Sequence, residues 1–253
     1  VGVEVAHHCA VDRDGRVDCW GHNDYGESER PDGQFAALAV GNYHNCGILT
    51  NASVACWGRD ADGQTAAPNG EFIKISAGFS ASCGIERGGS LACWGLYVDA
   101  PPEGSYAEVC VGGGYACALD GAGSATCWGA AALALQEPPA AVLRSISCGS
   151  SHGCGVLEDG TATCWGDDSN GETDVPPGVF QAVEAGSATT CGIRGDASVE
   201  CWGLNGNLQA QPPLDLSLSQ VDVGSYASCG VTTLGDVVCW GDTDTVGWPN
   251  AGP

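Results

Sequence analysis

Cysteine is the residue type whose spacing in this chain points most directly to chemistry. Fourteen of the sixteen Cys stand in seven pairs ten positions apart: Cys9 and Cys19, Cys46 and Cys56, Cys83 and Cys93, Cys117 and Cys127, Cys154 and Cys164, Cys191 and Cys201, Cys229 and Cys239. No Cys-x-x-Cys occurs, so the spacing speaks against zinc or redox motifs and for structural disulfides formed in an oxidising compartment. Cys110 and Cys148 are left over, one strand position out of phase in successive repeats. Alternate strand positions point to opposite faces, so these two are expected to bridge neighbouring units, with two buried free thiols as the alternative. His7, His44 and His152 recur at one place in the repeat, too far apart around a ring to share a metal; hydrogen bonding within the repeat is expected of them. Gly149-Ser150-Ser151-His152-Gly153 fits the Gly-x-Ser-x-Gly pattern of a nucleophile elbow. That motif needs a strand, a turn and a helix, whereas these residues fall between two strands. Acidic loops at Asp60/Asp62, Asp167/Asp168/Asn170/Glu172 and Asp242/Asp244 invite calcium, but none carries a full twelve-residue ligand pattern. The expectation is no catalytic residue, no metal and no cofactor.

These residues must be positioned by a repeating element. Every second Cys of a pair is followed by Trp-Gly, and the steps between Trp20, Trp57, Trp94, Trp128, Trp165, Trp202 and Trp240 are 37, 37, 34, 37, 37 and 38 residues. A period in that range, with no helical pattern inside it, predicts a repeat built from sheets. Between the paired Cys lies a β-hairpin. If Cys9 faces Cys19, the loop is Arg13-Asp14-Gly15, and its third position wants a left-handed backbone, where Gly has no steric penalty. Gly15, Gly89, Gly123, Gly160 and Gly235 stand there; Ala52 and Ala197 are the exceptions. The same register makes each Cys pair a non-hydrogen-bonded one, whose opposed Cα atoms lie about 4.5 Å apart, near the short end of disulfide geometry. Two positions inward from each Cys the residues are all apolar, from Val11 and Val17 to Val231 and Val237. One hairpin face is therefore expected to carry the bridge and its aliphatic neighbours into a core. On the other, the residue after the first Cys is always Gly or Ala, which predicts close sheet packing with the repeated Trp filling the space. A third strand precedes each hairpin: Val1 to Val5, Phe35 to Val40, Phe72 to Ala77, Tyr106 to Val111, Leu143 to Cys148, Phe180 to Ala185 and Leu218 to Val223. The predicted fold is all-β, a seven-bladed propeller of about 36-residue repeats with one cross-strand disulfide each. A single domain covers residues 1–253, its ring closed where the N- and C-terminal segments meet.

The repeat resembles that of the regulator of chromosome condensation family. The resemblance rests on Gly41-Asn42-Tyr43-His44, Trp57-Gly58 and Gly63-Gln64, and on Asp14-Gly15, Trp20-Gly21 and Asn23-Asp24-Tyr25-Gly26. It implies a seven-bladed propeller, similar in architecture to the secreted bacterial β-lactamase inhibitor protein II. It implies less about function, because the family also includes a nuclear nucleotide-exchange factor and enzyme-fused modules. The Cys pairs and the acidity depart from all of these.

The charge narrows the partner. With 31 acidic and 8 basic side chains the formal net charge is −23, which repels nucleic acid and anionic membrane surfaces. No apolar run approaches the roughly 20 residues of a spanning helix, and no cleavable leader or Met is present, so a mature product or an excised domain is expected. The expected function is a secreted, extracellular or cell-surface, non-enzymatic scaffold. It would bind a macromolecule, foremost a protein, through loops on one ring face, as a monomer or as part of a larger surface protein. A glycan-binding module, with or without calcium, and a purely structural domain are the alternatives. The candidate partner-binding residues are Tyr43, His44, Phe79, Tyr115, His152 and Tyr226, in the connection before each hairpin. The loops after Trp-Gly, with Tyr25, Tyr97 and Trp248, compete with them. Asn51-Ala52-Ser53 is a glycosylation sequon at a hairpin tip, relevant in a eukaryotic source.

Overall fold

In the computed structural model each ten-residue Cys spacing folds as a hairpin with Cys opposite Cys, and the opposed pair is bonded. The seven hairpin disulfides join Cys9 to Cys19, Cys46 to Cys56, Cys83 to Cys93, Cys117 to Cys127, Cys154 to Cys164, Cys191 to Cys201 and Cys229 to Cys239, with Cα atoms 4.0–4.1 Å apart. The structure describes residues 2–3, 7–29, 31–98, 100–131 and 137–242. At the first tip, Asp12 N donates to Arg16 O (2.9 Å) and Gly15 takes φ 77°, which leaves the expected three-residue loop. Ala52 (φ 70°) and Ala197 (φ 68°) adopt the same left-handed conformation without the freedom of Gly.

Seven three-stranded antiparallel sheets follow one another along the chain, each made of a strand and the hairpin after it. The strands that precede the hairpins in blades two to seven are Phe35–Val40, Phe72–Ala77, Tyr106–Val111, Leu143–Cys148, Phe180–Ala185 and Leu218–Val223, as expected. In blade one this strand is Gly2–Val3, and the rest of the expected Val1 to Val5 lies outside the described residues. A β-bulge just after the first residue of each of the six strands, as between Phe35 and Ala37, sharpens its twist. Among the described residues there is no helix, and none long and apolar enough to cross a membrane.

The core lies between blades rather than within them. The first Cys of every pair is fully buried, and it packs with its aliphatic neighbours against the next blade: Cys46 and Ile48 against Phe72 and Trp94, Cys154 and Val156 against Phe180 and Trp202. The bridge follows its first Cys into that core: Cys19, Cys56, Cys93, Cys127, Cys164 and Cys201, on the outermost strand of each blade, are partly buried and pack against the same clusters. On the opposite face, the small residue after the first Cys makes room chiefly for the aromatic or Leu that opens the same blade. A Cβ at Gly47 would stand 2.4 Å from Phe35 Cδ1. Trp57 lies beyond that ring at 5.8 Å, so the expectation that Trp fills this space is corrected: Phe35 fills it and Trp57 packs on Phe35.

The six strands that precede the hairpins are the inner ones. They surround a central cavity of about 320 Å³ lined by Lys74, Ser76, Glu108, Ser147, Glu184 and Asp222. One end of the cavity is drawn together by a collar of glycines. Asn42 N donates to Gly78 O (3.1 Å), and Ser150 N to Gly186 O (3.1 Å). A Cβ on Gly41, Gly78, Gly112 or Gly149 would approach a carbonyl oxygen of the next blade to between 2.2 and 2.6 Å. Blade seven reaches blade one, with Cys229 Sγ 3.9 Å from His8 Nδ1. The final segment expected to complete the closure, residues 243–253, lies outside the described residues.

Candidate functional site at the loop-bearing end of the ring

The direction of the strands decides where the candidate residues gather. Each inner strand runs toward the collar, the hairpin tip lies at the opposite end, and the outer strand returns to the collar before the Trp-Gly loop begins. The two loop classes that compete in the sequence therefore share one end. Backbone bonds join them: Arg59 N to Tyr43 O (2.8 Å), Leu96 N to Ser80 O (2.9 Å), Asp167 N to Ser151 O (2.9 Å), Leu204 N to Ala188 O (2.8 Å) and Asp242 N to Tyr226 O (3.0 Å).

Three of the six candidate binding residues cannot meet a partner. His44, Tyr115 and His152 are buried, and each is bonded to the following blade. His44 Nε2 lies 2.8 Å from Ser82 Oγ, His152 Nε2 2.8 Å from Thr190 Oγ1, and Tyr115 Oη donates to His152 O (2.6 Å). His7 Nε2 makes the equivalent contact with Asn45 Oδ1 at 2.9 Å. The histidines thus bond between repeats and not within one, which corrects the expectation. Burial holds His44 neutral, its pKa down at about 3, and takes His152 to about 4. Burial likewise raises the Tyr115 phenol.

Phe79 (48% exposed), Tyr226 (43%) and the half-buried Tyr43 remain at the surface, joined by Tyr25 (53%) and Tyr97 (52%). Trp248 lies outside the described residues. Tyr25 and His22 each meet Tyr43 with ring centroids 5.8 Å apart. Phe79 and Tyr97 border a slot of about 270 Å³ with Ser80, Gly113, Gly114, Ser150 and Ser151. The slot crosses blades, since Phe79 and Tyr97 belong to the third repeat, Gly113 and Gly114 to the fourth, and Ser150 and Ser151 to the fifth. No spacing within one repeat reveals it.

The acidic loops use their carboxylates on their own backbone. Asp60 Oδ1 accepts from Thr65 N (2.9 Å), Asp168 Oδ1 from Thr173 N (2.9 Å), and Glu172 from Asn170 N (2.7 Å) and Asn170 Nδ2 (2.8 Å). Asp62 pairs with Arg59 at 3.1 Å. Asp244 lies outside the described residues. Among the described residues, the one trio of His, Cys, Asp or Glu ligand atoms gathered within 4.8 Å is Cys110, Cys117 and Cys148, and all three are in disulfides. Cys110–Cys148 joins blades four and five. The Gly-x-Ser-x-Gly segment spans the turn between two strands, where Ser150 Oγ lies 3.1 Å from Ser187 Oγ and His152 faces Thr190.

The same geometry explains the family pattern. The residue one after the loop glycine turns its side chain back on its own loop: Tyr25 N donates to the Glu27 carboxylate (2.8 Å) at the site where Gln64 accepts from Asp62 N (2.8 Å). At Glu27 and its counterparts Glu172 and Gln209, the backbone carbonyl accepts the next blade's indole, from Trp57 (3.1 Å), Trp202 (2.9 Å) and Trp240 (2.8 Å). The sequence profile of the regulator of chromosome condensation (RCC1) repeat matches residues 6–27, 35–64 and 143–172. At these three stretches the chain is similar to RCC1 repeats. No curated protein sequence matches this chain. Among solved structures it is similar to the CRINKLY WD40 ectodomain of the Arabidopsis thaliana receptor kinase ACR4, with 26% identity, a TM-score of 0.82, and coverage of 98% of this chain and 93% of that one. The entire ectodomain of the Physcomitrella patens receptor kinase CR4 matches at 23% identity and TM-score 0.84, over 95% and 72% of the two chains. Prp20p of Saccharomyces cerevisiae shares the fold at 15% identity and TM-score 0.74, over 85% and 74%. The propeller here closes every one of its sixteen Cys in eight disulfides.

Proposed function

We propose that the chain is a non-enzymatic, single-domain propeller that binds a protein outside the cell or at its surface, through the loop-bearing end of the ring. The observation that carries this is the set of exposed aromatic side chains, Tyr25, Phe79, Tyr97 and Tyr226, with the half-buried Tyr43, on one end of a disulfide-stapled ring. Aromatic side chains offered by loops on a rigid scaffold bury large area at small entropic cost, and anchors of this type dominate protein interfaces. Two further facts support it. Eight disulfides suit an oxidising exterior, and the similar plant structures are receptor-kinase ectodomains. Prp20p, which binds Gsp1p and histones, shows this architecture carrying protein partners in another protein.

The test is capture from the native extracellular milieu on immobilised protein. A Tyr25→Ser/Tyr43→Ser/Tyr226→Ser variant is compared with Leu234→Ser, which changes an exposed residue at the opposite end. The expected result is a protein retained saturably by the wild type and by Leu234→Ser, and at least about tenfold less by the loop variant. Equal retention by all three sinks the proposal, as does retention that glycosidase treatment of the milieu abolishes.

A further inference from the structure

We infer that the slot between Phe79 and Tyr97 receives an arginine side chain from a basic segment of the partner. This rests on the loop-bearing end being the binding face and names the chemistry that would anchor there. The slot, at about 270 Å³, falls below the roughly 300 Å³ at which small-molecule pockets begin, and it matches one long side chain. Two half-exposed rings, Phe79 and Tyr97, line it together with Gly113 and Gly114.

Charge selects what enters. Asp167, tied to the slot by its bond to Ser151 O, is fully exposed, and hydrogen bonds from Ser169 hold its carboxyl below the usual range, so it is ionised. Among the described residues no Lys or Arg pairs with Asp167 or its neighbour Asp168. Among the described residues the Lys and Arg side chains are engaged or placed elsewhere, Arg144 and Arg194 beside Phe180 among them. Arg13, Arg16 and Arg87 are at hairpin tips on the opposite end, Lys74 is in the central cavity on Glu108, and Arg59, in the loop end itself, is occupied by Asp62. An apolar anchor would gain only from the rings, and a carboxylate would be repelled. A guanidinium gains from both, because its plane stacks on an aromatic face while its edge pairs with a carboxylate, which an ammonium matches less well. The protein makes that arrangement internally. Arg194 lies over the Phe180 ring at 4.5 Å and pairs with Glu200.

Tyr97 holds φ 73° at the left-handed position of its loop, where Gly26, Gly63 and Gly171 stand in other blades and Leu208, at φ 64°, in the sixth, so its ring can be exchanged for Gly without a change of backbone.

The probe is a fluorescein-labelled peptide of alternating Gly and Arg, compared with the same peptide carrying citrulline, a neutral isostere, in place of Arg. Wild-type protein is expected to bind the Arg peptide saturably, and the citrulline peptide at least about tenfold more weakly. Phe79→Ser and Tyr97→Ser should each cost about tenfold, and Asp167→Asn/Asp168→Asn should weaken binding and flatten its salt dependence. Tyr97→Gly should keep or raise the melting temperature while losing binding as Tyr97→Ser does, which separates recognition from folding. Equal binding of the two peptides overturns the inference, and so does unchanged binding by the Phe79 and Tyr97 variants. If the captured protein is lost with the Tyr25/Tyr43/Tyr226 variant and retained by Phe79→Ser and Tyr97→Ser, the slot assignment fails and the binding face stands.

Discussion

His7, His44 and His152 each give a ring nitrogen to Asn45, Ser82 or Thr190 of the following blade. The Gly-x-x-His spacing is plain in the sequence, but the partner is not, because each bond spans 38 residues and exists only once blades are stacked. Burial also claims His8, whose pKa falls to about 3. These four rings stay neutral in the folded state, whereas in the unfolded chain each titrates near 6.5. Below about pH 6.5 the unfolded chain binds protons that the folded one refuses, so their contribution is complete above that pH and is lost progressively as pH falls toward the folded values. Glu184 in the central cavity acts with the opposite sign. Burial and the nearby Asp222 raise it to about 8 from an ordinary 4.5, so its contribution is complete below 4.5 and is lost as pH rises through 8. Four rings outweigh one carboxyl. The melting temperature is expected to fall between about pH 6.5 and pH 4, and His152→Gln should make that fall shallower in thermal scans across the range. A profile equally steep in the variant would show that His152 is not among the groups responsible.

At the scale of the hairpin, register and tip are legible because two independent signals agree. Cys opposite Cys fixes the centre of the turn, and Gly at its third position marks the left-handed residue. The unequal burial of the two halves of the bridge is less legible, since Cys46 and Cys56 look alike in the sequence and differ in standing on the middle and the outermost strand of the blade. The bulge that follows the first residue of six inner strands is not legible either, because it leaves the alternation of side chains readable on both sides of it. The two Ala exceptions offer a clean measurement. Ala52 at φ 70° bears the left-handed penalty of about 1–2 kcal/mol, of which Gly would return part, less its greater freedom in the unfolded chain. Ala52→Gly and Ala197→Gly are each expected to stabilise by about 0.5–1 kcal/mol, read as a higher urea midpoint at unchanged slope. A lower midpoint would mean that these methyl groups are held by packing worth more than the strain.

For the whole molecule, seven equal units and a period of about 36 residues make the ring readable, whereas the binding surface depends on which loops the closed ring brings side by side. Tyr43 and Tyr25 are far better neighbours in space than in sequence, and the slot at Phe79 draws on three repeats. His44, Tyr115 and His152 do not reach that surface, and their sequence conceals it, because an aromatic residue in a connection looks alike whether it faces solvent or the next blade. The one disulfide between blades is Cys110–Cys148, which closes 38 residues. Its removal in Cys110→Ser/Cys148→Ser is expected to cost about 4 kcal/mol in the chain-entropy model, measured by urea unfolding without reductant; a loss under about 1 kcal/mol would mean that the blade contacts alone fix this junction. The seven hairpin staples have a different consequence. Each tip, the most protruding stretch of its blade, lies between two cysteines that are bonded to each other. A protease that cuts at Asp14 or Asn51 severs the backbone but releases nothing, because the chain still runs unbroken through the sulfurs. In a medium full of hydrolases, the ring can be nicked at every tip and remain one molecule.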